Sequence, residues 1–98
     1  MLTREQALQI VLRRLAALGH ELGKPELAQA DEQTRLFGET AALDSIGLVT
    51  LIADLEEDIR VATGQTVTLA DEKAMSRLTS PFRRAGLLAE HVAEITSR

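Results

Sequence analysis

Aliphatic residues return every three or four positions along this chain, and that period limits its fold more than any other feature. Leu8, Val11, Leu12, Leu15 and Leu18 form one such series, and Leu48, Leu51, Ile52, Leu55 and Ile59 form a second. Leu87, Leu88, Val92 and Ile95 form a third. This spacing gathers apolar side chains on one face of an α-helix. Strand-like alternation occurs at Gln65-Thr66-Val67-Thr68-Leu69, but a lone strand has no partner. That segment reads as an extended loop with Val67 and Leu69 partly buried.

Local signals set the expected boundaries. Thr3-Arg4-Glu5-Gln6 fits a capping box, with Thr3 as cap and Gln6 reaching back. The first helix then runs to about residue 18 or 22, where Gly19 and Gly23-Lys24-Pro25 punctuate its end. Residues 23 to 43 are less regular. Glu26 to Ala30 can form a turn of helix, and Phe37 is expected to pin the loop to the core. A second helix starts at Asp44 or Ser45 and runs to about Arg60 or Ala62, with Gly64 as its stop signal. Asp71 to Leu78 suggests a short third helix, carrying Ala74, Met75 and Leu78. Ser80-Pro81 marks the start of the last helix, whose first turn Gly86 weakens. The sum is an all-α fold, a small bundle of three main helices plus one short helix, forming a single domain over residues 1–98.

Composition narrows the chemistry. Phe37 and Phe82 are the two aromatic residues, so the core must be aliphatic. With 98 residues that core is limited, and helix packing has to be efficient. The net charge of −4 disfavours nucleic acid and anionic membrane surfaces and favours partners with basic docking patches. The absence of cysteine excludes disulfides, thiolate catalysis and Cys-based zinc sites. No apolar run reaches the ~18 residues of a membrane span. Met1-Leu2-Thr3-Arg4-Glu5 lacks the order of a signal peptide, so a cytoplasmic location is expected.

The stretch Leu43-Asp44-Ser45-Ile46-Gly47-Leu48-Val49 bears the chemistry. At roughly 100° per residue, Leu48, Leu51, Ile52, Leu55 and Ile59 share the core face of the second helix. Asp54, Glu57 and Asp58 are placed opposite it, with Ile46, Val49 and Ala53 on a flank between the two. A small apolar contact ringed by negative charge suits a partner surface. The plainer alternative is that the acids are merely solvated and Ile46 packs on the preceding loop. Ser45 can be read as a helix cap, yet Asp44 and Ser45 are two capping-type residues in a row, and neither begins a capping box. A serine there is expected to expose its hydroxyl at the positive end of the helix dipole, where a phosphodiester is stabilised.

Leu43-Asp44-Ser45-Ile46, followed by the aliphatic and acid-rich run Leu48 to Ile59, resembles the acyl carrier protein family. Phe37, seven residues before Asp44, and the order of the helices extend the resemblance over most of the chain. It implies that Ser45 carries a covalent 4′-phosphopantetheine, that Asp44 is its motif neighbour, and that the acids of the second helix dock partners. Ile46, Val49, Ala53, Asp54, Glu57 and Asp58 are thus the expected docking residues. The implied partners are a phosphopantetheinyl transferase and acyl-loading and acyl-transferring enzymes with basic docking patches. The implied function is to carry acyl groups as thioesters in lipid or polyketide-type biosynthesis; the chain itself catalyses nothing. The lead-in Ala41-Ala42-Leu43 lacks the family's usual glycine, Ile46 replaces leucine, and the Glu72 to Arg84 segment is long. These departures imply a specialised member. An aminoacyl or peptidyl carrier and an unmodified helical interaction module are the alternatives.

Other residues do not form a site. His20 and His91 lack ligand spacing and read as surface or helix-end histidines. Glu56-Glu57-Asp58 lacks the alternating ligands and central glycine of a calcium loop. Ser45 lacks the Gly-x-Ser-x-Gly elbow of hydrolases, and no glycine-rich loop is placed to cradle a nucleotide phosphate. Arg83-Arg84 reads as a solvated turn.

Overall fold

A computed structural model of the chain describes residues 2–36, 43–69 and 83–97. The architecture is an all-α bundle. Helix α1 spans Arg4–Leu22, a 3-10 turn spans Pro25–Gln29, helix α2 spans Ser45–Thr63 and helix α3 spans Ala85–Thr96. Among the described residues there is no strand, and no helix is long and apolar enough to cross a membrane. The Phe37 anchor, the short helix at Asp71 to Leu78 and the Ser80-Pro81 start signal lie outside the described residues.

The capping box of α1 forms as the sequence predicts. Thr3 Oγ1 accepts the Gln6 N–H and Gln6 Oε1 accepts the Thr3 N–H. The helix ends on Gly23, whose left-handed φ of 70° is easy for glycine, and α2 ends the same way on Gly64 at φ 76°. Helix α1 is the hub: the 3-10 turn, α2 and α3 all pack on it. Its buried stripe is Ala7, Val11, Leu15 and Leu18, with Leu8, Ile10 and Leu12 packed at the edge. Leu51, Leu55 and Ile59 of α2, and Leu88, Ala89 and Val92 of α3, complete the aliphatic interior with Leu27, Leu36 and Leu69. Each fully buried leucine contributes about 1.5–3 kcal/mol of transfer free energy.

Gly19 does not end α1; it lies inside the helix and is buried. A Cβ there would meet Leu27 Cβ and the Lys24 carbonyl, each at 2.6 Å. The missing side chain is what lets the 3-10 turn lie on α1. Gly86 serves the same purpose on α3, where a Cβ would come within 2.9 Å of the Glu32 carbonyl.

Helix α3 begins at Ala85, directly after residues 83 and 84, which are tied to an earlier segment. Leu36 N–H donates to the Arg83 carbonyl, and Arg35 and Arg84 form an isolated antiparallel bridge. The Ala85 and Gly86 N–H groups then donate to the Thr34 and Glu32 carbonyls. Residues 32 to 34 therefore supply the cap that Arg84 has no side-chain hydrogen bond to provide.

His91 also departs from expectation. It is buried in the middle of α3, and its Nε2 lies 2.9 Å from the Leu69 carbonyl. On the other side, the Leu69 N–H donates to Glu56 Oε2 at 2.8 Å. One buried leucine backbone thus joins α2 to α3. His20 is exposed in the last turn of α1, as expected.

Gly19→Ala tests the packing of the 3-10 turn. Alanine gains up to ~1 kcal/mol of helix propensity. Overpacking against Leu27 should nonetheless leave the variant about 1–3 kcal/mol less stable. Urea denaturation reads the sign, and a stabilised variant would contradict the contact.

Candidate functional site

Asp44 sets where α2 begins. Its backbone is extended, at φ −83° and ψ −177°, and its Oδ1 accepts the Gly47 N–H at 2.7 Å. Its carbonyl accepts the Leu48 N–H at 2.9 Å. Both bonds are those of an N-cap: the carboxylate satisfies one of the amides that the first turn leaves without an intrahelical partner, and the carbonyl accepts the first bond of the helix. Ser45 is therefore the first helical residue, and the cap comes from its neighbour. The exposure expected for the Ser45 hydroxyl falls outside the described side chains. Gly47 is buried under this turn, where a Cβ would lie 3.2 Å from Asp44 Oδ1 and 3.3 Å from Leu43 Cδ2. Glycine keeps that space open for the cap and for Leu43, which anchors the lead-in to the core.

The apolar residues after Ser45 point further outward than the wheel suggests. Ile46 is 76% exposed, Val49 is 65% exposed, and Ala53 is also exposed. They occupy the outermost face of α2 and not a flank. The acids are displaced accordingly. Asp54 and Asp58, placed opposite the core by the wheel, are half-buried on the side facing α1. Arg14 of α1 reaches them there. Its Nε and Nη2 donate to Asp58 Oδ2 and Oδ1 at 2.8 and 2.6 Å, and its Nη1 lies 3.9 Å from Asp54 Oδ2. The Asp58 hydrogen bond holds the Arg14 guanidinium above its ordinary pKa. Glu57 is exposed on the outer face and pairs with Arg60, three residues on. The Arg60 hydrogen bond holds the Glu57 carboxyl below its usual range. Glu56, the fourth acid of the helix, holds the Leu69 N–H.

Arg14, Glu56 and Gly47 are residues of this helix and its surroundings whose roles sequence reasoning passed over. Asp54 and Asp58 one turn apart on α2 invite a bidentate arginine, and Arg14 lies off the apolar stripe of α1. Their meeting depends on how the two helices pack, across 44 positions of sequence.

Position 45 is the first residue of α2. It lies at the positive end of the helix dipole, where backbone amides stabilise an anion. Its chain neighbours Asp44 and Ile46 are both exposed, and one Asp44 carboxylate oxygen accepts the Gly47 N–H. Among the described residues no group of three or more His, Cys, Asp or Glu side chains could hold a metal ion. No family model matches the chain, and neither a curated protein nor a solved structure matches it.

The two ion pairs differ in what they should contribute. The Arg14 and Asp58 side chains are 29% and 27% exposed and share a bidentate geometry. A double-mutant cycle of Arg14→Ala and Asp58→Ala should give a coupling of about 1 kcal/mol. The same cycle on exposed Glu57 and Arg60 should give a smaller coupling, and the reverse order would contradict the geometry.

Proposed function

We propose that this chain is a carrier protein of the acyl carrier type, with a 4′-phosphopantetheine arm attached to Ser45. The observation that carries the proposal is that Asp44 caps α2 and Ser45 follows it as the first helical residue, beside an exposed Ile46. If the serine served only as a cap, it would stand where Asp44 stands. The aliphatic interior and the all-α architecture agree with a small protein that presents an attached group.

The division of roles follows from position. Asp44 fixes the first turn and so the place of Ser45. The first turn of α2 offers its dipole to a phosphodiester. A phosphopantetheinyl transferase loads the protein: the Ser45 hydroxyl oxygen bonds to the pantetheine-side phosphorus of coenzyme A. The pyrophosphate bond breaks, adenosine 3′,5′-bisphosphate leaves, and the hydroxyl proton passes to a base of the transferase. The bound arm supplies a terminal thiol on which an acyl group is held as a thioester. Acyl-loading and acyl-transferring enzymes of lipid or polyketide-type biosynthesis are the further partners.

Incubation of the purified protein with coenzyme A and a broad-specificity transferase should add one phosphopantetheine, as intact mass reads it. Ser45→Ala should add none. A wild-type chain that stays unmodified, or a Ser45→Ala variant that is loaded, would defeat the proposal.

A further inference from the structure

The start of α1, residues 32 and 33 and the start of α3 enclose a hollow of about 280 Å³. None of its lining residues belongs to α2 or to the Asp44–Ser45 turn. The polar lining is Arg4, Glu32, Gln33, Arg83, Arg84 and Glu90. Three guanidinium groups thus meet two carboxylates, a cation excess within a chain of net charge −4. Both carboxylates face Arg4, whose Nη2 lies 3.3 Å from Glu32 Oε2 and whose Nε lies 3.6 Å from Glu90 Oε2. Arg84 Nη1 donates to Gln33 Oε1 at 2.7 Å, a neutral acceptor that leaves the charge of Arg84 uncompensated. Among the described residues the exposed Arg83 side chain has no hydrogen bond and no ion pair.

The backbone that carries these two arginines is fixed. Leu36 N–H donates to the Arg83 carbonyl, and the Ala85 and Gly86 N–H groups donate to the Thr34 and Glu32 carbonyls. The Gln33 contact holds the Arg84 side chain in addition. A backbone already ordered lowers the entropic cost of gathering both arginines on one anion. Gly86 keeps the hollow open, because a Cβ there would lie 3.3 Å from Arg4 Nη2 as well as 2.9 Å from the Glu32 carbonyl. Leu87, 37% exposed, adds an apolar surface to the lining.

We infer that this hollow binds a small organic phosphomonoester, whose phosphate group is held by the Arg83 and Arg84 guanidinium groups. The inference does not depend on the carrier reading of Ser45. Donor number selects the phosphate. A guanidinium is a fork of five N–H donors, and Arg84 gives one of them to Gln33. Two such forks exceed what the two oxygens of one carboxylate can accept side by side, whereas the three terminal oxygens of a phosphomonoester serve both. Arg4 offsets in part the nearest carboxylates, Glu32 and Glu90. Leu87 favours an ester with an organic body over the bare ion, since contact with it buries apolar area. The volume lies at the lower edge of small-ligand pockets, which limits the ligand to a small ester.

Phenyl phosphate titrated into the unmodified full chain is the probe, read by amide proton and nitrogen shifts. Saturable shifts should centre on residues 83 to 87 and 32 to 34. Arg83→Gln removes no contact within the fold, so it should leave the melting temperature unchanged and weaken binding about ten-fold, as loss of a charge-assisted contact does. Arg84→Gln should weaken it by a similar factor. Arg13→Gln, on α1 outside the hollow, should change binding less than about two-fold, because screened surface charge contributes little. Benzoate should bind about five-fold more weakly than phenyl phosphate, having fewer acceptor oxygens. Inorganic phosphate should also bind more weakly, because it leaves Leu87 uncovered. Binding with no saturation by about 10 mM, an Arg83→Gln chain that binds as the wild type does, or an equal loss in Arg13→Gln overturns the site. Benzoate that binds as tightly overturns the phosphate assignment, and inorganic phosphate that binds as tightly overturns the organic ester.

Discussion

The buried stripe of α1 is the surface on which the rest of the structure is built. Ala7, Val11, Leu15 and Leu18 are inaccessible or nearly so, and the 3-10 turn, α2 and α3 each pack on this helix. The core has to be aliphatic in a chain with two aromatic residues, so close approach of backbones does part of what large rings would otherwise do. Gly19 and Gly86 supply that approach, the first under Leu27 and the second under Glu32. The irregular segments are then fastened by backbone hydrogen bonds. Residues 32 to 34 cap α3, and Leu69 spans from Glu56 to His91.

Within this frame α2 has two sides with separate tasks. The side toward α1 spends Asp54 and Asp58 on Arg14, and the partly buried, bidentate contact ties the two helices beyond what their apolar residues achieve. The outer side carries Ile46, Val49 and Ala53 into solvent. Aliphatic residues this exposed bury little apolar area and add little to the stability of the fold.

Features fixed by near neighbours were legible in the sequence. The Thr3–Gln6 capping box, the Gly23 and Gly64 stops, the core face of α2 and the start of that helix all depend on residues within about one turn. Features fixed by distant neighbours were not. His91 is buried because the Leu69 carbonyl arrives from 22 positions away, and nothing in the composition around it signals that. Helix α3 starts at Ala85, where residues 32 to 36 pair with residues 83 to 86. The acids of α2 read as a solvated or docking face until Arg14 is seen beside them. Gly86 read as a weak point in a helix, and tertiary packing makes it a requirement.

The central claim is that Asp44 and Ser45 divide two tasks, the first structural and the second chemical. Equilibrium denaturation of the unmodified single variants measures that division most directly. Asp44→Ala should cost about 1 kcal/mol, the usual loss for an N-cap. Ser45→Ala should cost less than ~0.5 kcal/mol, because Asp44 supplies the cap and alanine is a better helix former than serine. A Ser45→Ala loss as large as that of Asp44→Ala would make the serine a structural cap and contradict the account.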